Sequence, residues 1–540
     1  MKPYRRSWNL NQVARMLLLT VFAGWMAAAP LSALPASGRQ LFNVVDYGAS
    51  RDGSSSCTEA FRRAIQAARD AGGGTIYVPP GRYSTGPIEL LSNMTLDVDA
   101  GATIDFPVAP IPFEKTRYLG VEALAPMALI GGRNVENVTV TGRGVLTTGL
   151  YGDWAKAYGP APLISSKSEN ANGPHWDRVL QDLEAGRPVS KEEYLAAAPE
   201  LRPSFIYFDH SKNILVENVR IIGAPMFVVH LLYSEMATVR NVMIEAFPGP
   251  HVNGIVVDSS RFVRISDDYV DTGDDGIVIK AGKDADGLRV NKPSEHVAIT
   301  NCTVHHAHGA VVIGSETSGS IRDVAASNIT AVDTENGIRI KSRRGRGGVV
   351  EDVRFDNWTM ENVATGIVVT SYYVMGGEVG TALQPVGPGT PAFRNIGISN
   401  ITISHATRQA IDIEGLPEMP ITSLRLSDVL ASGNTGLLAT FTTDLQLHNV
   451  QVNPTKGAAF VVQNSANLLL DDVGSRLPAV GSPVVELRDT PGALLRNSRA
   501  FPRTGTFVSA PEADLKALHL IGNDLSDARA STGISEAASR

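Results

Sequence analysis

From about residue 213 the chain repeats one short theme: alternating β-branched residues, then Asn or Asp, then further alternation. Copies include Ile214–Val219, Val239–Ile244, Val297–Cys302, Val353–Asn357, Ile396–Asn400, Leu424–Asp428 and Leu445–Asn449. The marker falls at Asn218, Asn241, Asp267, Asn301, Asn328, Asn357, Asn400, Asp428, Asn449, Asp471, Asn497 and Asn523. Successive gaps are 23, 26, 34, 27, 29, 43, 28, 21, 22, 26 and 26. A period mostly of about 20–30 residues, strand-like and without an intervening helix, predicts an all-β solenoid, the parallel β-helix. Its coils stack about 4.8 Å apart. A β-sandwich would need two-residue hairpin turns, which are scarce here.

A solenoid extends one core indefinitely, so 540 residues do not require several domains. With 43% hydrophobic residues and two cysteines, the chain is neither disordered nor a disulfide scaffold. Solenoid ends need covering. Ser56-Cys57-Thr58-Glu59 reads as a capping box opening a helix with Ala60, Phe61, Ala64, Ile65 and Ala68 on one face. Gly72-Gly73-Gly74 ends it, giving an amino-terminal cap. The stretch 150–202 breaks the repeat with Trp154, Trp176 and a helical run near Leu180–Glu184, and is expected as an excursion beside the groove. The polar tail at 527–540 is expected to fray.

Lys2, Arg5, Arg6 and Arg15 precede an apolar run from Met16 to Ala29, and small residues follow. This is the plan of a secretory signal peptide over 1–33, with cleavage after Ala33 or Ala36. Arg5-Arg6 adds a faint twin-arginine character. A membrane anchor would need about 20 apolar residues, and no later segment approaches that length. An exported protein, periplasmic or secreted, is expected. Cys57 and Cys302 lie several coils apart, beyond disulfide reach, and are expected as separate buried thiols. Removing 1–33 leaves 44 basic against 55 acidic residues, a balance of −11 that argues against nucleic acid.

Coils bring distant residues onto one face, so polar groups recurring about one coil apart are candidates for chemistry. Four segments qualify: His251-Val252-Asn253-Gly254, Gly273-Asp274-Asp275-Gly276, His308-Gly309 and Gly337-Ile338-Arg339-Ile340-Lys341. Adjacent carboxylates on a regular strand would face opposite ways, but flanking glycines permit a turn or bulge that turns both to one side. Two close carboxylates repel, which separates their pKa values into an acid and a base. The same pair also fits a solvated turn or a Ca²⁺ site. Arg339 and Lys341, spaced by two, share a face and suit a carboxylate clamp. Arg343, Arg344 and Arg346 either extend this basic patch or form an ordinary charged turn.

On these residues the chain resembles the polygalacturonase family of glycoside hydrolases. The resemblance runs from about Phe42 to Tyr373 and includes Asn43–Ala49 and Gly72–Gly81, segments shared with other β-helix enzymes. Its specific part is the ordered set Gly273-Asp274-Asp275, His308-Gly309, Gly314-Ser315-Glu316 and Arg339-Ile340-Lys341. The resemblance implies a right-handed parallel β-helix and inverting hydrolysis of α-linked galacturonate in pectin. It also implies that Asp274 is the general acid, that Asp275 helps activate water, and that His308 tunes the acid. Arg339 and Lys341 would hold the substrate carboxylate, with Tyr373 touching the sugar. One departure stands out: the family's Asn-Thr-Asp-Gly is His251-Val252-Asn253-Gly254 here, so Asn253 can still orient water but cannot act as a base. Either Asp275 suffices, the substrate is a variant one, or activity is reduced. Gly314–Gly319 resembles the exo-acting branch. No cofactor, metal or membrane partner is expected, and the protein is expected as a monomer binding pectin. The competing expectations are a β-helix lyase or epimerase and a non-catalytic polysaccharide-binding β-helix.

Overall fold

The computed structural model describes residues 40–109, 111–149, 173–249, 251–373 and 382–535. The expected leader at 1–33 lies outside these residues, as do Trp154 and the rest of 150–172. Apart from one antiparallel hairpin, the named strands ladder in parallel, each onto the strand one coil earlier. Three sheets result. The first includes Ile206–Asp209, Val229–Leu232, Ile255–Asp258, Ile277–Lys280, Val311–Gly314, Asn336–Lys341 and Thr365–Thr370. The second includes Lys212–Glu217, Glu235–Arg240, Arg261–Ser266 and Ser294–Thr300. The third includes Arg220–Ile222, Met243–Ala246, Tyr269–Thr272 and Thr303–His305. Further on, second- and third-sheet strands fuse, and Ala392–Glu414 runs through all three sheets. This is the expected right-handed parallel β-helix, with the usual hand of parallel crossovers.

The alternation in sequence becomes columns in space. Ile255, Ile277, Val311, Ile338 and Ile367 are successive register partners, and all are buried. Val257, Ile279, Ile313, Ile340 and Val369 form the adjacent column. Each such side chain contributes about 1.5–3 kcal/mol by leaving water. The intervening residues point outward, where chemistry is possible.

Ten of the twelve sequence markers, from Asn218 to Asn449 together with Asn497, take left-handed backbone with φ between 51° and 62°. Asn and Asp tolerate this region better than other side-chain-bearing residues. They also join across coils: Asn241 donates to Asn218 Oδ1 (2.7 Å), Asn328 to Asn301 (3.1 Å) and Asn357 to Asn328 (2.8 Å). The other two markers differ. Asp472, not Asp471, holds the left-handed position (φ 53°), while Asp471 accepts from Asn497 Nδ2 (2.8 Å). Asn523 donates to the Leu495 carbonyl (2.9 Å). A second ladder, which the repeat did not reveal, joins Asn213 to Asn137 and Asn137 to Asn93, each at 2.8 Å. The long gaps of 34 and 43 reflect chain added after first-sheet strands: the helix Asp284–Val290 in one, and the length of sequence between Thr370 and Ala392 in the other.

The amino-terminal helix spans Thr58–Asp70 and buries the five predicted residues. Its capping box does not form: Cys57 is the N-cap and makes no side-chain cap bond. The reason is a contact with the next coil. Strand Asp52–Ser56 runs directly into the helix, the Cys57 amide donates to the Ser84 carbonyl (2.7 Å), and Glu59 pairs with Arg62 instead (2.6 Å). The tail also departs from expectation. Ala530–Ile534 adds in parallel to Thr506–Ala510, because an open sheet end offers unpaired backbone groups to the next strand. Cys57 and Cys302 are free and buried, as expected.

Candidate active site

Residues added to the coils cluster at the two edges of the first sheet. One edge carries 281–293, 315–320, 342–348, 371–373, 382–391 and 415–420. The other carries the hairpin Phe113–Pro126 and the helices Pro174–Glu184 and Lys191–Ala197. These walls enclose a cavity of about 350 Å³ on the sheet's outer face. Asn253, Asp274, Asp275, His308, Arg339, Lys341 and Tyr373 all line it. These seven candidates therefore meet in one place.

Backbone stacking explains the convergence. Gly254 donates to the Asp275 carbonyl (3.0 Å), Gly276 to Gly309 (2.9 Å) and His308 to Asp274 (3.0 Å). Asn253 and the two aspartates thus sit in neighbouring coils, with His308 directly beside Asp274. Gly273 and Gly276 serve close packing here. A Cβ on Gly273 would lie 2.3 Å from the Gly249 carbonyl oxygen, and one on Gly276 would lie 2.5 Å from Val304 Cγ1.

Asp274 lies between two imidazoles, its Oδ1 3.3 Å from His308 Nδ1 and its Oδ2 3.7 Å from His251 Nδ1. Burial alone would raise its pKa. The His308 hydrogen bond and the charges of His308, His251 and Lys341 overcome this and hold it well below the usual carboxylate range. Burial opposes protonation of His308, yet the hydrogen bond to Asp274 and the charges of Asp274, Asp275 and Glu335 raise its pKa. In the free site the pair's proton therefore rests on His308. His251 moves the other way, its pKa lowered chiefly by burial.

Asp275 Oδ2 lies 2.8 Å from Lys341 Nζ. Its Oδ1 is buried without a hydrogen-bond partner, 4.0 Å from the Arg339 guanidinium. Burial, then the charge of Arg339, lowers the Lys341 pKa. The Tyr373 ring faces both cations, at 4.9 Å from Lys341 Nζ and 5.6 Å from Arg339 Cζ.

A second buried ion pair, Lys280 with Glu316 (2.8 Å), borders the cavity and was not among the residues chosen from sequence. Burial raises the Glu316 pKa, but Lys280 and Arg346 outweigh it and bring the value to about 2. A sequence signal for Lys280 exists: Ile277-Val278-Ile279-Lys280 repeats the pattern of Ile338-Arg339-Ile340-Lys341. The three later arginines tie wall loops together. Arg343 and Arg346 reach Asp284 (3.5 and 3.3 Å), and Arg344 holds Glu418 (2.6 Å). Of the three, only Arg346 lines the cavity.

Along the sheet the hairpin bounds the cavity on the amino-terminal side. Arg117 of the hairpin forms a buried pair with Asp258 (3.0 Å), one coil before Lys280. The Gly120 carbonyl at the hairpin tip accepts from the Lys283 amide (2.9 Å), and Leu119 lines the cavity wall. Tyr118, Trp176, Leu180 and Leu201 pack with Val256, Val278 and Val312, a small apolar layer outside the β-helix.

Residues 194–437 match the sequence model of glycosyl hydrolases family 28, and residues 41–104 match rhamnogalacturonase A/epimerase, pectate lyase-like. A probable polygalacturonase of Vitis vinifera is 29% identical over 436 residues, 77% of this chain and 80% of that one. An exo-poly-alpha-D-galacturonosidase of Dickeya chrysanthemi is 27% identical over 397 residues, 70% of this chain and 64% of that one. The crystal structure of an exopolygalacturonase from Thermotoga maritima is similar with a TM-score of 0.68 at 33% identity. That match covers 77% of this chain and 92% of that one.

Proposed function

Because the chain belongs to glycosyl hydrolases family 28, we propose that it cleaves α-linked galacturonate in pectin, with inversion and from chain ends. It is a polygalacturonase-like glycoside hydrolase. One observation carries the assignment of roles: Asp274, Asp275, His308, Arg339 and Lys341 come from three consecutive coils into one cavity.

On this reading Asp274 is the general acid and receives its proton through the His308 pair. A substrate carboxylate seated beside Arg339 and Lys341 offsets positive charge that holds Asp274 ionised, and it displaces water. Both effects move the proton from His308 towards Asp274, next to the leaving oxygen. Asp275 Oδ1 has a free acceptor position for the attacking water, while Lys341 holds the other oxygen. Asn253 orients that water, and Tyr373 packs against the sugar. The hairpin supports action at chain ends, since its tip, through Leu119 and the Gly120–Lys283 hydrogen bond, bounds the amino-terminal side of the cavity.

The catalytic domain on this reading runs from 34 to 540, acts as a monomer on pectin, and is exported behind the leader at 1–33. Among the described residues no helix is long and apolar enough to cross a membrane. The test is release of reducing ends from polygalacturonate and rhamnogalacturonan. Asp274→Asn should lower kcat/KM by about 10²–10⁴-fold. Full activity in that variant, or no release from either polymer by the parent, would overturn the proposal. A lyase reading draws on the match at 41–104, a segment that contains none of the cavity residues. An unsaturated, ultraviolet-absorbing product would favour it.

A further inference from the structure

We propose that Asp271, His305 and His306 bind one divalent transition-metal ion of the zinc class, at a site separate from the cavity. Asp271 and His305 are register partners in adjacent coils of the third sheet, and both side chains face outward and are partly exposed. His306 Nδ1 lies 3.0 Å from Asp271 Oδ1, and His305 Nδ1 lies 3.7 Å from Asp271 Oδ2. One ligand atom from each residue can be chosen so that all three lie within 4.8 Å of one another. Tetrahedral zinc with bonds of about 2.0–2.1 Å spaces its ligands by about 3.4 Å, between the two measured separations.

The surroundings prepare the site for a metal. His305 Nδ1 is buried and has no hydrogen-bond partner. Its other ring nitrogen, Nε2, donates to Asp333 Oδ2 (3.1 Å), which leaves a lone pair on Nδ1 directed at Asp271. Asp333 is itself held by Asn362 Nδ2 (2.5 Å). A carboxylate behind a ligating histidine is the usual means of fixing tautomer and ring orientation. Phe247 stacks on His306 with ring centres 4.3 Å apart and planes 21° apart, holding the second imidazole. Two imidazoles and one carboxylate suit zinc and its neighbours and disfavour calcium or magnesium, which seek oxygen. Three protein ligands leave a position for water. The ion would clamp two coils just before His308, whose amide donates to the Asp274 carbonyl.

The test is calorimetric titration of the EDTA-treated full chain with ZnCl₂ in a non-chelating buffer, alongside thermal unfolding. One equivalent should bind and raise the unfolding temperature, while CaCl₂ should do neither. Asp333→Asn should weaken zinc about 10–100-fold. The double variant His305→Asn/His306→Asn should lose the binding, and His308→Asn should keep it, separating this site from the cavity imidazoles. Absence of binding to the folded parent, undiminished binding by the double variant, or loss in His308→Asn would overturn the proposal. Should the double variant not fold, the Asp333→Asn affinity decides: unchanged affinity overturns the site.

Discussion

Asp274 and His308 share one proton, and their opposite shifts determine how the site responds to pH. Against the pull of burial, the Asp274 hydrogen bond raises the His308 pKa above the usual imidazole range, so on the proposed mechanism the competent form is lost only as pH climbs through that raised value. The alkaline limb of kcat/KM against pH should therefore lie above that of a free imidazole. In His308→Asn the proton must stay on Asp274 itself, and the limb should move into the carboxylate range. A profile whose alkaline limb did not move would remove His308 from the proton path. Asp275 is held differently: Lys341 reaches one oxygen and leaves the other open. Two adjacent aspartates thus acquire distinct environments from the coils stacked on either side.

Among the elements, the hairpin Phe113–Pro126 has the largest consequence for the products. It is the one antiparallel pair of named strands among the described residues, and it crosses the outer face of a parallel sheet. Gly120 takes φ +85°, and a Cβ there would come within 2.7 Å of Lys283 Cβ. Gly120→Val should push the tip away from Lys283 and Glu316 and open the amino-terminal end of the cavity. Products from polygalacturonate should then shift from short terminal fragments towards longer oligomers, read by chromatographic sizing. Replacing the whole tip with a shorter turn should shift them further. An unchanged product distribution in both variants would show that the hairpin does not set the cleavage mode.

For the whole molecule, buried carboxylates set the stability profile. Asp258 and Glu316 are both brought to about 2: burial acts against this, but their cationic partners, Arg117 first for Asp258 and Lys280 first for Glu316, outweigh it. Each contributes stability that is fully present above its unfolded value and is lost as pH falls towards 2. Asp268 behaves in the opposite sense. Burial lifts it to about 7, and its Oδ2 has no hydrogen-bond partner, so its presence costs stability as pH rises from about 4 to 7. Asp268→Asn should flatten that decline by up to about 3 kcal/mol between pH 5 and pH 8, measured by denaturant unfolding. An equal decline in parent and variant would contradict the assignment.

The sequence by itself determined the repeat, the inward columns and most of the ladder, because alternation and left-handed turns are local preferences of Val, Ile, Asn and Asp. It also singled out the groups that meet in the cavity, since Asp274, Asp275, His308, Arg339 and Lys341 follow one another in order within short motifs. The tertiary structure decided what depends on register. Gaps between 21 and 43 residues hide which side chains align, so Lys280 with Glu316, the second Asn ladder and the Asp271–His305–His306 cluster emerge only on stacking. Likewise Ser56 lost its cap to a strand bond at Cys57 that no local pattern reports. The bounded end of the cavity has the same origin: an apolar hairpin finds its partners among Val256, Val278 and Val312 only after three coils have brought them side by side.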